Sequence, residues 1–130
     1  MAVITVTEKN FATVTSKGIV LLDFWAGWCS PCRGFAPVFE AAARRHLDVT
    51  FGKIDVDAQP GLSQAFQISS IPTLLIMRDG VLLAAQPGAM PASKIDALIV
   101  KVQGLDMAEV LRNVKPELAV SHPRAAAGGR

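Results

Sequence analysis

The sequence predicts an α/β protein whose central mixed sheet of about five strands has helices on both faces. Short apolar runs alternate with segments of helical periodicity along most of the chain. An Asp79-Gly80 step joins two further apolar runs. Helical crossovers connect parallel strands, whereas an Asp-Gly turn joins antiparallel ones, so both kinds of pairing are expected in one sheet.

The predicted strands are short runs rich in branched and aromatic residues. Ile19–Trp25 is almost wholly apolar and fits a central strand that is covered on both faces. The other predicted strands are Val3–Val6, Val49–Val56, Thr73–Met77 and Val81–Ala85. The last two form the antiparallel hairpin.

The predicted helices follow from apolar spacing and from capping residues. The first is Glu8–Thr15 with Thr7 as N-cap, and the longest begins at Ser30 and ends near His46, with a kink expected at Pro37. A short helix over Gly61–Phe66 follows Pro60. A one-sided helix ends at Gly104, because its apolar residues recur at helical spacing: Ile95, Leu98, Ile99 and Val102.

Composition excludes several classes of partner. The 130 residues, 51% of them hydrophobic, suffice for a single globular core. A formal net charge of +2 is too small to indicate a nucleic acid or a membrane surface as partner, and we expect a monomer. Apolar runs stay far below the roughly 20 residues that cross a bilayer. Met1–Thr7 lacks the pattern of a signal peptide, which predicts a cytoplasmic protein.

The chain is expected to divide into a domain over residues 1–103 and an extension over residues 104–130. Asp106 and Glu109 are spaced as in a capping box, which predicts a short helix over about residues 106–114 that Pro116 closes. The Ala- and Gly-rich end, Ser121–Arg130, is expected to be disordered.

The two cysteines, Cys29 and Cys32, have C-x-x-C spacing where a predicted strand hands over to a helix. In a reducing compartment such a pair is redox-active or binds metal, and the alternative is two ordinary small core residues. A structural zinc site takes four Cys or His ligands, but His46 and His122 are isolated, so no metal is predicted.

The helix N-terminus favours dithiol chemistry, because free amides and the helix dipole lower the pKa of the Cys29 thiol. Pro31 favours the helix start, and Arg33 adds a nearby positive charge. Cys29 is therefore the predicted attacking thiol and Cys32 the resolving thiol. No bound cofactor is expected, because the dithiol itself carries the electrons.

Asp23–Cys32 reads D-F-W-A-G-W-C-S-P-C, which resembles the active-site signature of the thioredoxin family. The resemblance covers about residues 1–103. It implies the thioredoxin fold, reduction of protein disulfides, and a thioredoxin reductase as electron donor. Four further matches follow in the family's order: Pro37, Lys53 with Asp55, Ile71–Thr73, and Gly88 with Ala89.

By this resemblance Asp23, with Lys53 as ionic neighbour, accepts the proton of Cys32 when that thiol attacks. Burial in an apolar strand raises the pKa of a carboxyl group toward neutrality, which suits that role. The alternative is a solvated carboxylate at a strand end.

The resemblance also implies a substrate surface beside the cysteines. Ile71-Pro72 would be cis and face the pair, with the Ile71 backbone available to an extended substrate segment. The alternatives are a trans proline, a partly buried core role for Trp28 and a simple turn at Gly88. The residues that the resemblance assigns to substrate binding are Trp28, Pro31, Ile71, Pro72, Gly88 and Ala89.

The sequence departs from the family pattern at several positions near the site. Ser30-Pro31 replaces the commonest Gly-Pro, and a Ser30 hydroxyl that donates to the Cys29 thiolate would make the pair more oxidising. Gly34 opens the adjoining surface and Pro87 stiffens a substrate loop. Three functions stay open: a protein-disulfide reductase, which leads, a disulfide oxidase or isomerase, and a noncatalytic binding or chaperone module.

Overall fold

A computed structural model describes residues 2–113 of the chain as a five-stranded sheet with helices packed on it. The strands are β1 (Val3–Thr5), β2 (Ile19–Trp25), β3 (Thr50–Asp55), β4 (Thr73–Arg78) and β5 (Val81–Pro87). The helices are α1 (Phe11–Thr15), α2 (Ser30–Arg45), α3 (Pro60–Ala65), α4 (Ala92–Gln103) and α5 (Met107–Asn113). The predicted helix end at Val114, its closure at Pro116 and the predicted disorder of Ser121–Arg130 lie outside the described residues, as does His122.

The sheet is mixed, as predicted, with strand order β1-β3-β2-β4-β5. β1, β3 and β2 run parallel, whereas β4 is antiparallel to both β2 and β5. β2 has the predicted bounds and lies in the middle, so that Asp23 is opposite Lys53 on β3 and Leu74 on β4. The central strand therefore carries Asp23 into the interior.

Helices cover both faces of the sheet, because alternate residues of β2 point to opposite sides. Leu21 belongs to a buried cluster with side chains from α2 and α4, among them Phe35, Phe39, Ile95 and Ile99. Leu22 belongs to a second cluster with side chains from α1 and α3, namely Phe11 and Leu62. Each such side chain contributes about 1.5–3 kcal/mol by leaving water.

α1 begins at Phe11, so the predicted start at Glu8 with Thr7 as N-cap is wrong. The Thr7 amide donates to Oδ1 of Asn10 at 2.7 Å, and the Lys9 amide donates to Oγ1 of Thr7 at 3.2 Å. These side-chain bonds to the backbone hold residues 7–10 in a separate turn. Asn10 is consequently the residue that precedes the helix.

The β4–β5 hairpin turns at Asp79 and Gly80, as predicted. Both have positive φ, 53° and 81°, which the tight hairpin turn requires. Oδ1 of Asp79 also accepts the Gly18 amide at 2.8 Å, which ties this turn to the start of β2.

Arg78, at the end of β4, is bonded to the end of α4 and to the segment that follows it. Its Nη1 donates to the carbonyl oxygens of Val102 at 2.8 Å, Gln103 at 3.4 Å and Leu105 at 3.3 Å. The Val102 carbonyl also accepts the Leu105 amide at 3.2 Å, so Arg78 and a backbone turn together close the end of α4.

α5 follows directly and forms one half of the predicted capping box. Oδ1 of Asp106 accepts the amides of Ala108 at 3.1 Å and Glu109 at 3.3 Å. Across residues 2–113, no helix is both long enough and apolar enough to cross a membrane.

Candidate functional site

The two cysteines lie at the junction of β2 and α2 and form a disulfide, with their Cα atoms 5.2 Å apart. Cys29 is the N-cap of α2 in extended conformation, and its sulfur accepts the Cys32 amide at 3.2 Å. Pro31 occupies the first turn, where its missing N–H costs no intrahelical bond. The predicted handover from strand to helix is confirmed, and it places one sulfur against the free amides of a helix start.

Both sulfurs are nearly covered, since Cys29 is 4% exposed and Cys32 is 2% exposed. They form a small apolar cluster with Ala26, and the partly buried Ile71 packs against it. The carbonyl oxygen of Ile71 lies 3.8 Å from Sγ of Cys29. The Ile71–Pro72 bond is cis, as the resemblance implied.

The loop after β5 is tied to this segment. The Gly88 amide donates to the Pro72 carbonyl at 2.8 Å, and Gly88 has a φ of 93°, a conformation that favours glycine. Ala89 lies beside it and is exposed. These contacts bring Ile71, Pro72 and Gly88 together on the β4–β5 side of the disulfide.

Trp28 stands apart from that group and is bonded on the β3 side. Its side chain is 69% exposed, which rules out the core role, and its Nε1 donates to Oδ2 of Asp57 at 2.9 Å. The Asp57 amide in turn donates to Oδ1 of Asp55 at 2.9 Å, which fixes the loop after β3. Sequence reasoning missed Asp57, because no periodicity or motif relates it to a tryptophan 29 positions away.

Beneath the disulfide lies a cavity of about 100 Å³. It is bordered by Cys32 and by four of the site's other polar or aromatic side chains: Asp23, Trp25, Arg33 and Lys53. Oδ1 of Asp23 and Nε1 of Trp25 are buried and lack a hydrogen-bond partner among the described residues. One buried acceptor and one buried donor on residues that border the cavity are therefore unpaired among the described residues, a combination that sequence reasoning did not anticipate for Trp25.

Asp23 is only 5% exposed, so the solvated strand-end carboxylate is excluded. Burial raises its pKa from 3.8 to about 7, although the positive charge of Lys53 acts in the opposite direction. Nζ of Lys53 lies 5.4 Å from the centre of the Trp25 ring, and Lys53 is the register partner of Asp23 on β3. Asp23 can thus exchange a proton near neutral pH.

Arg33 reaches back from the first turn of α2 to the loop that precedes it. Its amide donates to the Cys29 carbonyl at 3.2 Å, and its Nη1 donates to the Gly27 carbonyl at 2.8 Å. Sequence reasoning gave Arg33 only a general positive charge, because a contact to a backbone carbonyl leaves no mark in residue type or spacing.

Ser30 and Gly34 are exposed on the same turns of α2. The space where Gly34 would carry a Cβ is open, with no atom within 4 Å. The bond from the Ser30 hydroxyl to a Cys29 thiolate stays a prediction, because the sulfurs are joined here. Among residues 2–113, no group of three or more Cys, His, Asp or Glu side chains could hold a metal ion.

The thioredoxin family model matches residues 2–101 of this chain. A protein of Streptomyces coelicolor that is provisionally named thioredoxin 2 is 51% identical over 114 residues, which cover 87% of this chain and 85% of that protein. Thioredoxin of Bacillus subtilis is 38% identical over 102 residues, 78% of this chain and 98% of that protein.

The fold is likewise similar to solved thioredoxin structures. A mutant thioredoxin from Halobacterium salinarum NRC-1 superposes with a TM-score of 0.75 at 32% identity, over 80% of this chain and 93% of that one. The two other functions that the sequence left open, the oxidase or isomerase and the noncatalytic module, gain no support from these relatives.

Proposed function

This chain belongs to the thioredoxin family, and we propose that Cys29 and Cys32 are the thiols with which it reduces disulfide bonds in proteins. It is a thiol-disulfide oxidoreductase, a protein-disulfide reductase of a family that needs no bound cofactor. The observation that carries the assignment of the thiols is the Cys29–Cys32 disulfide at the start of α2.

Cys29 is the attacking thiol in this proposal. The Cys32 amide donates to its sulfur at 3.2 Å, and the same bond, together with the helix dipole, stabilises a thiolate at this position. The thiolate attacks one sulfur of the substrate disulfide and forms a mixed disulfide, and the other substrate sulfur leaves as a thiolate that takes up a proton.

Cys32 completes the reaction as the resolving thiol. It loses its proton and attacks Sγ of Cys29, which forms the Cys29–Cys32 bond and expels the second substrate sulfur. Two electrons pass from the protein to the substrate, the two thiol protons end on the two substrate thiols, and the product is the oxidised form seen in the structure.

Asp23 is the proposed acceptor of the Cys32 proton, with Lys53 as its ionic neighbour. Both border the cavity that Cys32 also borders, and the pKa of Asp23 is about 7. A group with that pKa takes and returns a proton readily near neutral pH.

Protein substrates dock, in this proposal, on the surface around the disulfide. The exposed indole of Trp28 offers apolar area, and the Ile71 carbonyl beside Cys29 offers a backbone acceptor to an extended segment. The proposed docking residues are Trp28, Pro31, Ile71, Pro72, Gly88 and Ala89.

We also propose the setting in which the protein works. A thioredoxin reductase returns electrons to the pair, so the chain serves electron transport and redox homeostasis as a cytoplasmic monomer. Neither nucleic acid nor membrane is a partner, in keeping with the net charge of +2. Residues 1–103 form the redox domain, which the family match to residues 2–101 supports, and residues 104–130 form an extension.

Trapping the intermediate tests the assignment. The Cys32→Ser variant, incubated reduced with insulin, should accumulate a mixed disulfide through Cys29 that is visible by nonreducing mass spectrometry. The Cys29→Ser variant should accumulate none and should lose insulin reduction. A mixed disulfide through Cys32 in the Cys29→Ser variant, at the yield of its counterpart, would reverse the two roles.

A further inference from the structure

We propose that Arg33 is a positioning residue that holds the loop carrying Trp28 in the geometry that protein substrates bind, an inference that rests on the proposed function. Arg33 makes a bond of 2.8 Å from Nη1 to the carbonyl of Gly27, the residue immediately before Trp28. The structure thus gives Arg33 a specific backbone partner as well as a charge.

The Trp28 loop is exposed and is closed as a turn by a backbone bond from the Cys29 amide to the Ala26 carbonyl at 3.2 Å, which leaves the Gly27 carbonyl to Arg33. Gly27 and Trp28 are both exposed, and a glycine adds backbone freedom directly before the tryptophan. A Cβ at Gly27 would meet no atom within 4 Å, so packing does not fix this residue. Hydrogen bonds must therefore set the orientation of the peptide plane that leads into Trp28.

Two charged side chains hold Trp28 from different elements. Asp57, in the loop after β3, accepts the indole Nε1–H at 2.9 Å and fixes the ring. Arg33, on α2, fixes the backbone before it. The Arg33 amide donates to the Cys29 carbonyl at 3.2 Å in the first turn of α2. Arg33 therefore fixes the position of the Trp28 loop relative to the cysteine pair.

Arg33 could act by holding the Trp28 loop or by its charge, and these two roles predict different effects of a substitution on the reduction of large and small disulfides. A charge acting on Cys29 changes the reactivity of its thiolate toward every disulfide. Loss of the bond that holds the Trp28 loop changes only the affinity for substrates large enough to contact Trp28. Lysine keeps the charge, but its ammonium group lies one bond closer to the backbone than Nη1 of arginine and does not reach the same position, so Arg33→Lys separates the two.

The test compares a protein disulfide with a small one. Wild type, Arg33→Met and Arg33→Lys are assayed for insulin reduction with a thiol donor, and for the single-turnover rate of the reduced protein with 5,5′-dithiobis(2-nitrobenzoate) across pH. For an exposed hydrogen bond we expect the KM for insulin to rise by about two- to fivefold in both variants. In Arg33→Lys, which keeps the charge, kcat for insulin and both the rate and the pH midpoint with the small disulfide should stay unchanged.

A spectroscopic signal reports the loop directly. The protein has two tryptophans, so 5-fluorotryptophan labelling gives two ¹⁹F resonances, and Trp28→Phe assigns them. The Trp28 resonance should shift and narrow in both Arg33 variants, whereas the Trp25 resonance should not move. Arg44→Met is the matched control, because Arg44 is an exposed arginine on the same helix about three turns away, and it should leave every readout unchanged.

The outcomes distinguish a role of Arg33 in holding the Trp28 loop from an effect of its charge and from no role. The inference is overturned if Arg33→Met slows both substrates while Arg33→Lys behaves as wild type, or if both variants match wild type in KM and in the Trp28 resonance. If Arg33→Met does not fold, Arg33→Gln takes its place. A wild-type protein that reduces neither disulfide would instead sink the proposed function, independently of Arg33.

Discussion

The two sides of the Cys29–Cys32 disulfide treat polar groups in opposite ways. On the exposed side, called the rim and formed by Trp28, Asp57 and Arg33, the Trp28 indole donates to Asp57 and the Arg33 guanidinium donates to a backbone carbonyl. On the cavity side, Oδ1 of Asp23 and Nε1 of Trp25 are buried and have no partner among the described residues. Proteins usually pair their buried polar groups and leave exposed ones to water.

The difference indicates what each side does. Water would satisfy the exposed groups equally well. Hydrogen bonds on the rim therefore fix the orientation of side chains and backbone but add little to the free energy of unfolding. On the cavity side, a buried carboxylate without a partner destabilises the folded protein. Its protonated form is favoured instead, which raises its pKa. Substitutions on the rim should therefore change substrate binding. Substitutions on the cavity side should change the stability of the protein and its dependence on pH.

The largest expected effect is on the cavity side. Asp23→Asn should increase the free energy of unfolding of the oxidised protein by up to about 4 kcal/mol above pH 7, the equivalent of a pKa raised from 3.8 to about 7. The folded protein binds this proton more tightly than the unfolded chain does. Wild-type stability therefore falls as pH rises from about 4 to about 7, and then levels off.

Urea denaturation at pH values from about 4 to about 8 measures this effect. The stability advantage of Asp23→Asn should grow across that window, while resolution of the mixed disulfide should slow because the proposed proton acceptor is gone. Asp48→Asn, at an exposed position, is the control and should leave the pH profile unchanged. A constant difference between Asp23→Asn and wild type at all pH values would contradict the raised pKa.

The next effect is on the rim. Trp28→Ala should lower kcat/KM for insulin by about tenfold, the loss of about 1.4 kcal/mol of contact with substrate. Its stability should change little, because the side chain is 69% exposed. Leu47→Ala is the control, since Leu47 is 87% exposed and lies beyond the far end of α2. Equal losses in stability and in activity would mean that Trp28 is structural.

The smallest expected effect is that of the partner of Trp28. Asp57→Ala removes one exposed hydrogen bond to the indole, so the KM for insulin should rise by only about two- to threefold. Asp48→Ala serves as the comparison at an exposed carboxylate. A tenfold or greater effect of Asp57→Ala would show that the ring orientation dominates docking, and an unchanged KM would show that the bond has no part in it.

The sequence was most informative where one local property decided the structure. β2 has the predicted bounds because its apolar residues favour burial on both faces, and Asp79-Gly80 turns as expected because both positions take positive φ. α1 begins three residues late because Thr7 and Asn10 bond to nearby backbone, a competition that periodicity does not reveal.

The site followed the same division. The cysteine pair at a helix start, and the burial of Asp23, could be predicted from spacing and from an apolar run. The bond from Trp28 to Asp57 could not be, because it joins side chains from two loops. The unpaired Nε1 of Trp25 depends on the three-dimensional shape of the cavity, so residue type alone says nothing of it.

The three bonds made by Arg78 decide where this protein can be shortened. Two of its carbonyl acceptors belong to Val102 and Gln103, but the third belongs to Leu105, beyond the last residue of α4. A chain cut after Gln103 would lose the third acceptor and would turn the second into a terminal carboxylate. A chain cut after Asn113 keeps all three acceptors and α5, and is the better choice for crystallisation or for fusion to a second protein.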